Sequence, residues 1–148
     1  MTLTRPDTRV ADVLDIQRAT HLYARGLDRF DPQEAASAFT DDAVWDATAV
    51  GLERFEGRAA ILGFFERDAA AIADQFHVIT NHVVDLDDDG TTASGTNYVF
   101  SEGHTRSGAS FKAIALNEDT YRRTPEGWRI ATRRISALTP PELEGFDA

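Results

Sequence analysis

The sequence predicts an α+β fold, with helices covering one face of a curved sheet, and three observations predict it. Apolar residues recur at three- and four-residue steps in the first half of the chain; strand-like runs fill the second half; clusters of turn formers separate those runs. The length of 148 residues is that of one domain with a single core or one pocketed shell. Neither an internal repeat nor a linker interrupts it.

Each element follows in order. From Val10 to Leu27 the residues Val10, Val13, Leu14, Ile16, Leu22, Tyr23 and Leu27 mark one face of an amphipathic helix. Asp31 suits an N-cap and Pro32 a first helical turn, so a short second helix runs to about Phe39. Ala43 to Glu56, broken by Gly51 and followed by Gly57, reads as a short extended hairpin. Arg58 to Gln75 carries Ile61, Leu62, Phe64, Phe65 and Ile72 in an alanine-rich background and reads as a third helix. Strands are expected at Phe76 to Leu86, Thr92 to Gly103, Ala109 to Arg123 and Gly127 to Leu138, forming an antiparallel meander. The domain core spans about residues 10–138, and the tail 139–148 is expected to be irregular, with Phe146 able to tuck into a cavity mouth.

Composition narrows the function. A formal net charge of −10, with fourteen arginines and one lysine, disfavours a grip on nucleic-acid phosphates. Without cysteine there are no disulfides, thiolate chemistry or cysteine metal sites. No stretch approaches the ~20 apolar residues of a membrane span, and the N-terminus lacks a signal-type apolar region. A cytoplasmic enzyme or binding protein is the expectation.

Four histidines are able to move protons near neutral pH: His21, His77, His82 and His104. His21 lies in the first helix and His104 in a predicted loop, where both read as solvated or locally bonded. His77 and His82 are five residues apart on one predicted strand, an odd spacing that puts them on opposite faces unless a bulge intervenes. The same parity argues against a two-histidine metal site, so no metal is expected. Asp28 ends the first helix on the phase of Val10, Leu14 and Ala24, where a buried aspartate requires a partner; His21 shares that phase. Acceptance of backbone N–H groups before Pro32 and a catalytic role are equally open for it. Asp85 to Gly90 copies the start of an EF-hand loop, but its twelfth position is Thr96 and no helices flank it, so it reads as a hairpin turn.

The stretch from Ile16 through Tyr23 and Asp28 to Asp31, "FTDDAVWD" around Trp45, "QFHVITNHVV" around His77, and Glu126-Gly-Trp128-Arg-Ile together resemble the SnoaL-like branch of the nuclear transport factor two-like superfamily. The resemblance covers roughly residues 10–138 and is closest to the scytalone dehydratase, bile-acid dehydratase and hexachlorocyclohexane dehydrochlorinase group. It implies a conical sheet enclosing a cavity, in which Asp28 orients His77. It further implies Tyr23 as a catalytic neighbour, Trp45 as an aromatic wall and Arg133 as a cavity arginine. Strand alternation leaves open whether Arg133 or Arg134 enters the cavity, because Arg134 shares the face of Trp128 and Ile130.

On that basis His77 removes a proton, and Tyr23, Tyr98 or an arginine stabilises the developing oxyanion. Trp45, Phe64, Phe65, Ile79, Val99 and Ile114 are candidates for an apolar lining. The implied activity is a cofactor-independent elimination on a hydrophobic polyketide, steroid or aromatic molecule. An isomerase or polyketide cyclase, or a non-catalytic ligand-binding or dimerisation module, is the alternative. The strands offer arginines but no evident interior carboxylate pair, which disfavours an epoxide hydrolase. A homodimer or homotrimer is expected, with neither nucleic acid nor membrane as partner.

Overall fold

A computed structural model describes residues 9–146 of the chain. Helix α1 (Val10–Asp28) buries Ile16, Ala19, Thr20, Tyr23, Ala24 and Leu27, while Val10 and Leu14 stay exposed, so the buried stripe is rotated from the predicted one. Helix α2 (Pro32–Ser37) starts as expected: the Asp31 side chain accepts the Glu34 N–H at 3.1 Å. α2 lies directly on α1 because Gly26 has no side chain. A Cβ there would stand 2.3 Å from the Ala35 nitrogen, well inside contact distance.

Strand β1 (Phe39–Asp46) and strand β2 (Arg54–Glu56) form the short hairpin, joined through a single 3₁₀ turn at Thr48–Val50. Helix α3 (Arg58–Ala71) is four residues shorter than predicted, because strand β3 (Ile72–Leu86) begins at Ile72 rather than Phe76. Ile72 is buried and pairs with Thr105, and this tertiary pairing overrides the helix preference of the alanine run.

Strands β4 (Thr92–Thr105), β5 (Ser110–Thr124) and β6 (Gly127–Ala137) complete the meander. The sheet order is β2-β1-β6-β5-β4-β3, antiparallel except for the parallel pair β1 and β6. The result is the expected α+β cone, with α1 against β3 and β6 on the inner face. Trp128 fastens the start of α1 to β6: its indole N–H donates to Asp12 at 3.0 Å and its backbone N–H to Asp15 at 2.7 Å.

Two expectations change here. The tail is not wholly irregular, since β7 (Glu142–Glu144) pairs antiparallel with Ser110–Lys112 of β5 beyond the reach of β6. Phe146 is half exposed rather than tucked in, and residues 147–148 lie outside the described residues. His104 belongs to β4, not to a loop, and pairs with Asp74 at 2.7 Å on the surface.

Two bulges govern which side chains reach the interior. Between the pairs Thr80↔Tyr98 and Val83↔Thr96, two residues of β3 face one of β4, and Asn81 takes a left-handed φ of 51°. Between Thr120↔Thr132 and Tyr121↔Ile130, Ala131 is the extra residue of β6. Each bulge reverses the alternation beyond it.

Candidate active site

Asp28 leaves the end of α1 and meets β3. Its Oδ1 lies 2.7 Å from His77 Nδ1, and its Oδ2 accepts the His77 backbone N–H at 3.1 Å. Two bonds to one residue fix the carboxylate against the strand and orient the ring. With Nδ1 donating its proton to Asp28, Nε2 is left as the basic nitrogen. The side chains of His77 and Asp28 remain 13% and 27% exposed, so the pair is sheltered yet within reach of a small molecule. His21, the other partner the sequence offered, lies on the exposed side of α1.

Tyr23 is buried between the rings of Phe65 (5.7 Å between centroids), Phe39 (5.8 Å) and His77 (6.4 Å). Burial pushes its phenol pKa up, so the hydroxyl remains a proton donor at neutral pH. The Arg133 guanidinium sits 4.7 Å from the centre of the Tyr23 ring, in cation–π geometry. The bulge at Ala131 settles the choice between arginines: Arg133 is buried on the inner face and Arg134 is exposed. Trp45, paired in register with Arg133, packs against Phe55, Phe64 and Phe65.

Arg133 is the centre of a polar network that the sequence reading missed. Its Nε and Nη2 donate to the two oxygens of Asp119, each at 2.8 Å, and Nη2 also donates to Thr20 at 3.3 Å. Asp119 further accepts from the Tyr121 hydroxyl (2.7 Å) and Asn97 (3.0 Å), and Asn117 donates to Asn97 at 2.9 Å. Burial opposes the Arg133 charge, but Asp119 outweighs it and the guanidinium pKa is raised further. Its Nη1 is buried without a hydrogen-bond partner among the described residues. Asp119 is thus a single interior carboxylate of the strands bonded to Arg133, a residue that the search of the sequence for a carboxylate pair did not single out.

The bulge at Asn81 also corrects the histidine parity. His82 turns to the same side as His77, and its Nε2 lies 2.9 Å from the Tyr121 hydroxyl. Gly95 makes room for that tyrosine, since a Cβ would come within 3.1 Å of its ring. Burial lowers the His82 pKa to about 4, so this ring is neutral near pH 7. Of the remaining candidates, Phe65 and Val99 are buried and Ile79 packs against the core. Tyr98 and Ile114 stand on the opposite, outer face, more than a third exposed, and leave the inner constellation because strand alternation directs them away from it. No group of three or more metal-ligating side chains occurs among the described residues.

The inner face of the conical α+β shell carries a carboxylate–imidazole pair at one end and a buried arginine network beside it. Residues 8–134 match the SnoaL-like domain, and the chain belongs to that family. Among solved structures, it is similar to a proposed aromatic ring hydroxylase from Novosphingobium aromaticivorans, at 30% identity over 95% of this chain and 96% of the other, with a TM-score of 0.86. A proposed scytalone dehydratase from the same organism shares the fold at 20% identity, over 96% of this chain and 93% of the other, with a TM-score of 0.83. The type-3 hexachlorocyclohexane dehydrochlorinase LinA from Novosphingobium barchaimii shares it at 20% identity over 95% of both chains, with a TM-score of 0.78. No curated protein matches the chain significantly in sequence.

Proposed function

We propose that this protein is a lyase of the dehydratase type that acts on a hydrophobic small molecule by proton abstraction. The observation that carries the reading is the two-point contact of Asp28 with the ring and backbone of His77. A carboxylate so placed holds the tautomer with Nε2 free and stabilises the imidazolium once Nε2 takes a proton, the role it plays in other histidine-based sites. A proton next to a carbonyl is the natural target, since its removal places negative charge on the carbonyl oxygen. The Tyr23 hydroxyl and the free Nη1 of Arg133 are the donors for that oxygen, and a donor of this kind is worth about 2.7 to 4 kcal/mol in a dry site. Expulsion of a leaving group from the next carbon completes the elimination.

Trp45, Phe65 and Ile79 are the proposed apolar contacts, which favour a polyketide, steroid or aromatic substrate. Elimination also agrees with the names of the dehydratase and dehydrochlorinase neighbours, and an aromatic substrate with that of the hydroxylase. The outer sheet face carries Phe76, Val78, Tyr98 and Ile114 exposed together, and we assign it to a homodimer or homotrimer contact.

The test is His77→Ala against a panel of hydroxylated polyketides, steroids and aromatic alcohols, with circular dichroism to confirm that the variant is folded. Loss of elimination by at least about 10²-fold is expected. Undiminished turnover by the folded variant defeats the reading.

A further inference from the structure

We propose that Asp68 is the general acid of this elimination, and that the departing group is therefore an oxygen that must be protonated as it leaves. The proposal rests on the reading of His77 as the base and adds a second, separate group to it.

Asp68 is where an ordinary surface carboxylate would not be. Ile61, Phe65 and Asp68 follow one another at steps of four and three residues, which places Asp68 on the core-facing stripe of α3. Ile61, Phe65 and Ile72 are buried, and Phe65 packs on Tyr23. The Gln75 side-chain nitrogen holds Asp68 in place, donating to its Oδ2 at 2.8 Å and to the backbone carbonyl of Leu27 at 3.0 Å. Leu27 immediately precedes Asp28. One amide thus ties α3 and the end of α1 to β3 beside the dyad.

Gln75 and His77 project to the same side of β3, about 7 Å apart along the strand. The groups acting on Asp68 are His77 and Gln75 from β3, and its charge is felt by Tyr23 on α1. Burial raises the Asp68 pKa, against the opposing pull of Gln75 and His77, so the carboxyl keeps a proton to higher pH than a surface aspartate.

The chemistry balances with these two groups alone. The electrons of the broken C–H bond form the new double bond, and the proton goes to His77 Nε2. The electrons of the C–O bond leave with oxygen, which takes the Asp68 proton and departs as water. The imidazolium then returns its proton to the Asp68 carboxylate, so no net proton is consumed. A halide departs as a stable anion without an acid, whereas hydroxide does not, and a positioned carboxylic acid serves only the latter.

Two measurements test the proposal. The first follows the Asp68 side-chain carbon by NMR through a pH titration of wild type and of His77→Ala. The midpoint is expected above that of a surface aspartate and higher still in the variant, because the His77 side chain that favours the carboxylate is gone; a midpoint indifferent to His77 overturns the proposal. The second compares wild type, Asp68→Asn and His77→Ala on a benzylic β-hydroxy ketone and its β-chloro counterpart, both of which yield the same conjugated enone. Asp68→Asn is expected to slow the hydroxy ketone by about 10²-fold or more and to leave the chloro ketone within a few-fold. Equal loss on both probes, or none, refutes the acid role and leaves Asp68 a mere anchor for Gln75. If His77→Ala retains both rates, the dyad reading itself fails; if it loses both while Asp68→Asn loses neither, only the assignment of Asp68 fails. Should wild type turn over neither probe, the titration decides.

Discussion

Replacing Asp119 with alanine tests how the interior is held together. The carboxylate is fully enclosed, and four hydrogen bonds converge on it: two from Arg133, one from Tyr121 and one from Asn97. Alanine removes the carboxylate that pairs with a guanidinium that is itself 1% exposed. Leaving a buried charge without its partner costs about 3 to 5 kcal/mol. At about 2 to 4 °C per kcal/mol for a chain of this size, that is a fall in Tm of roughly 10 °C. Urea denaturation followed by circular dichroism measures the loss directly. The double replacement Asp119→Leu with Arg133→Met removes both charges at once, and its stability is expected to recover most of what Asp119→Ala loses. A loss below about 1 kcal/mol for Asp119→Ala, or a double variant whose loss equals the sum of its two singles, would refute the account of the network as a charge held by its partner.

Other consequences are as direct. Asn81 holds a φ of 51°, so Asn81→Val is expected to destabilise the protein by about 1–2 kcal/mol while Asn81→Gly is close to neutral; equal stabilities would mean that the bulge is not strained. His82 has a folded pKa lowered from 6.5 to about 4, so the unfolded chain binds the extra proton first as the pH drops. The associated stability is present above pH 6.5 and is lost as the pH falls toward 4. Discounted for the partial exposure of the ring, the loss is about 1–2 kcal/mol. In His82→Gln this part of the acid limb should flatten, and an unchanged pH dependence of the urea midpoint would show that His82 is not its source.

The order of elements was legible because it is written in local chemistry. The three- and four-residue apolar steps of α1, the Asp31-Pro32 start of α2 and the turn formers between the strands each depend on a few neighbouring residues, and together they define an α+β shell. The motifs around Asp28, Trp45 and His77 likewise pointed to the SnoaL-like family to which the chain belongs. What sequence periodicity misplaced depends on partners far along the chain. Ile72 leaves the helix because Thr105 pairs with it, and Ser110–Lys112 recruits the tail as β7 where β6 has already ended.

The interior polar residues were hidden for a related reason. On β5, Asn117, Asp119 and Tyr121 face inward while Ile114 and Leu116 lie on the other side, so alternation alone does not tell core from surface. The one extra residue at Asn81 brings His82 round to the side of His77, and the one at Ala131 brings Arg133 inward in place of Arg134. Asp68 did carry a local signal, its place on the stripe of Ile61 and Phe65, but that signal acquires chemical meaning only when Gln75 and His77 are folded against it. Sequence determined the order and kind of the main helices and strands, though not all their ends, because those choices are local. Tertiary structure alone decided which side chains meet inside, because a single-residue bulge reverses every side chain beyond it.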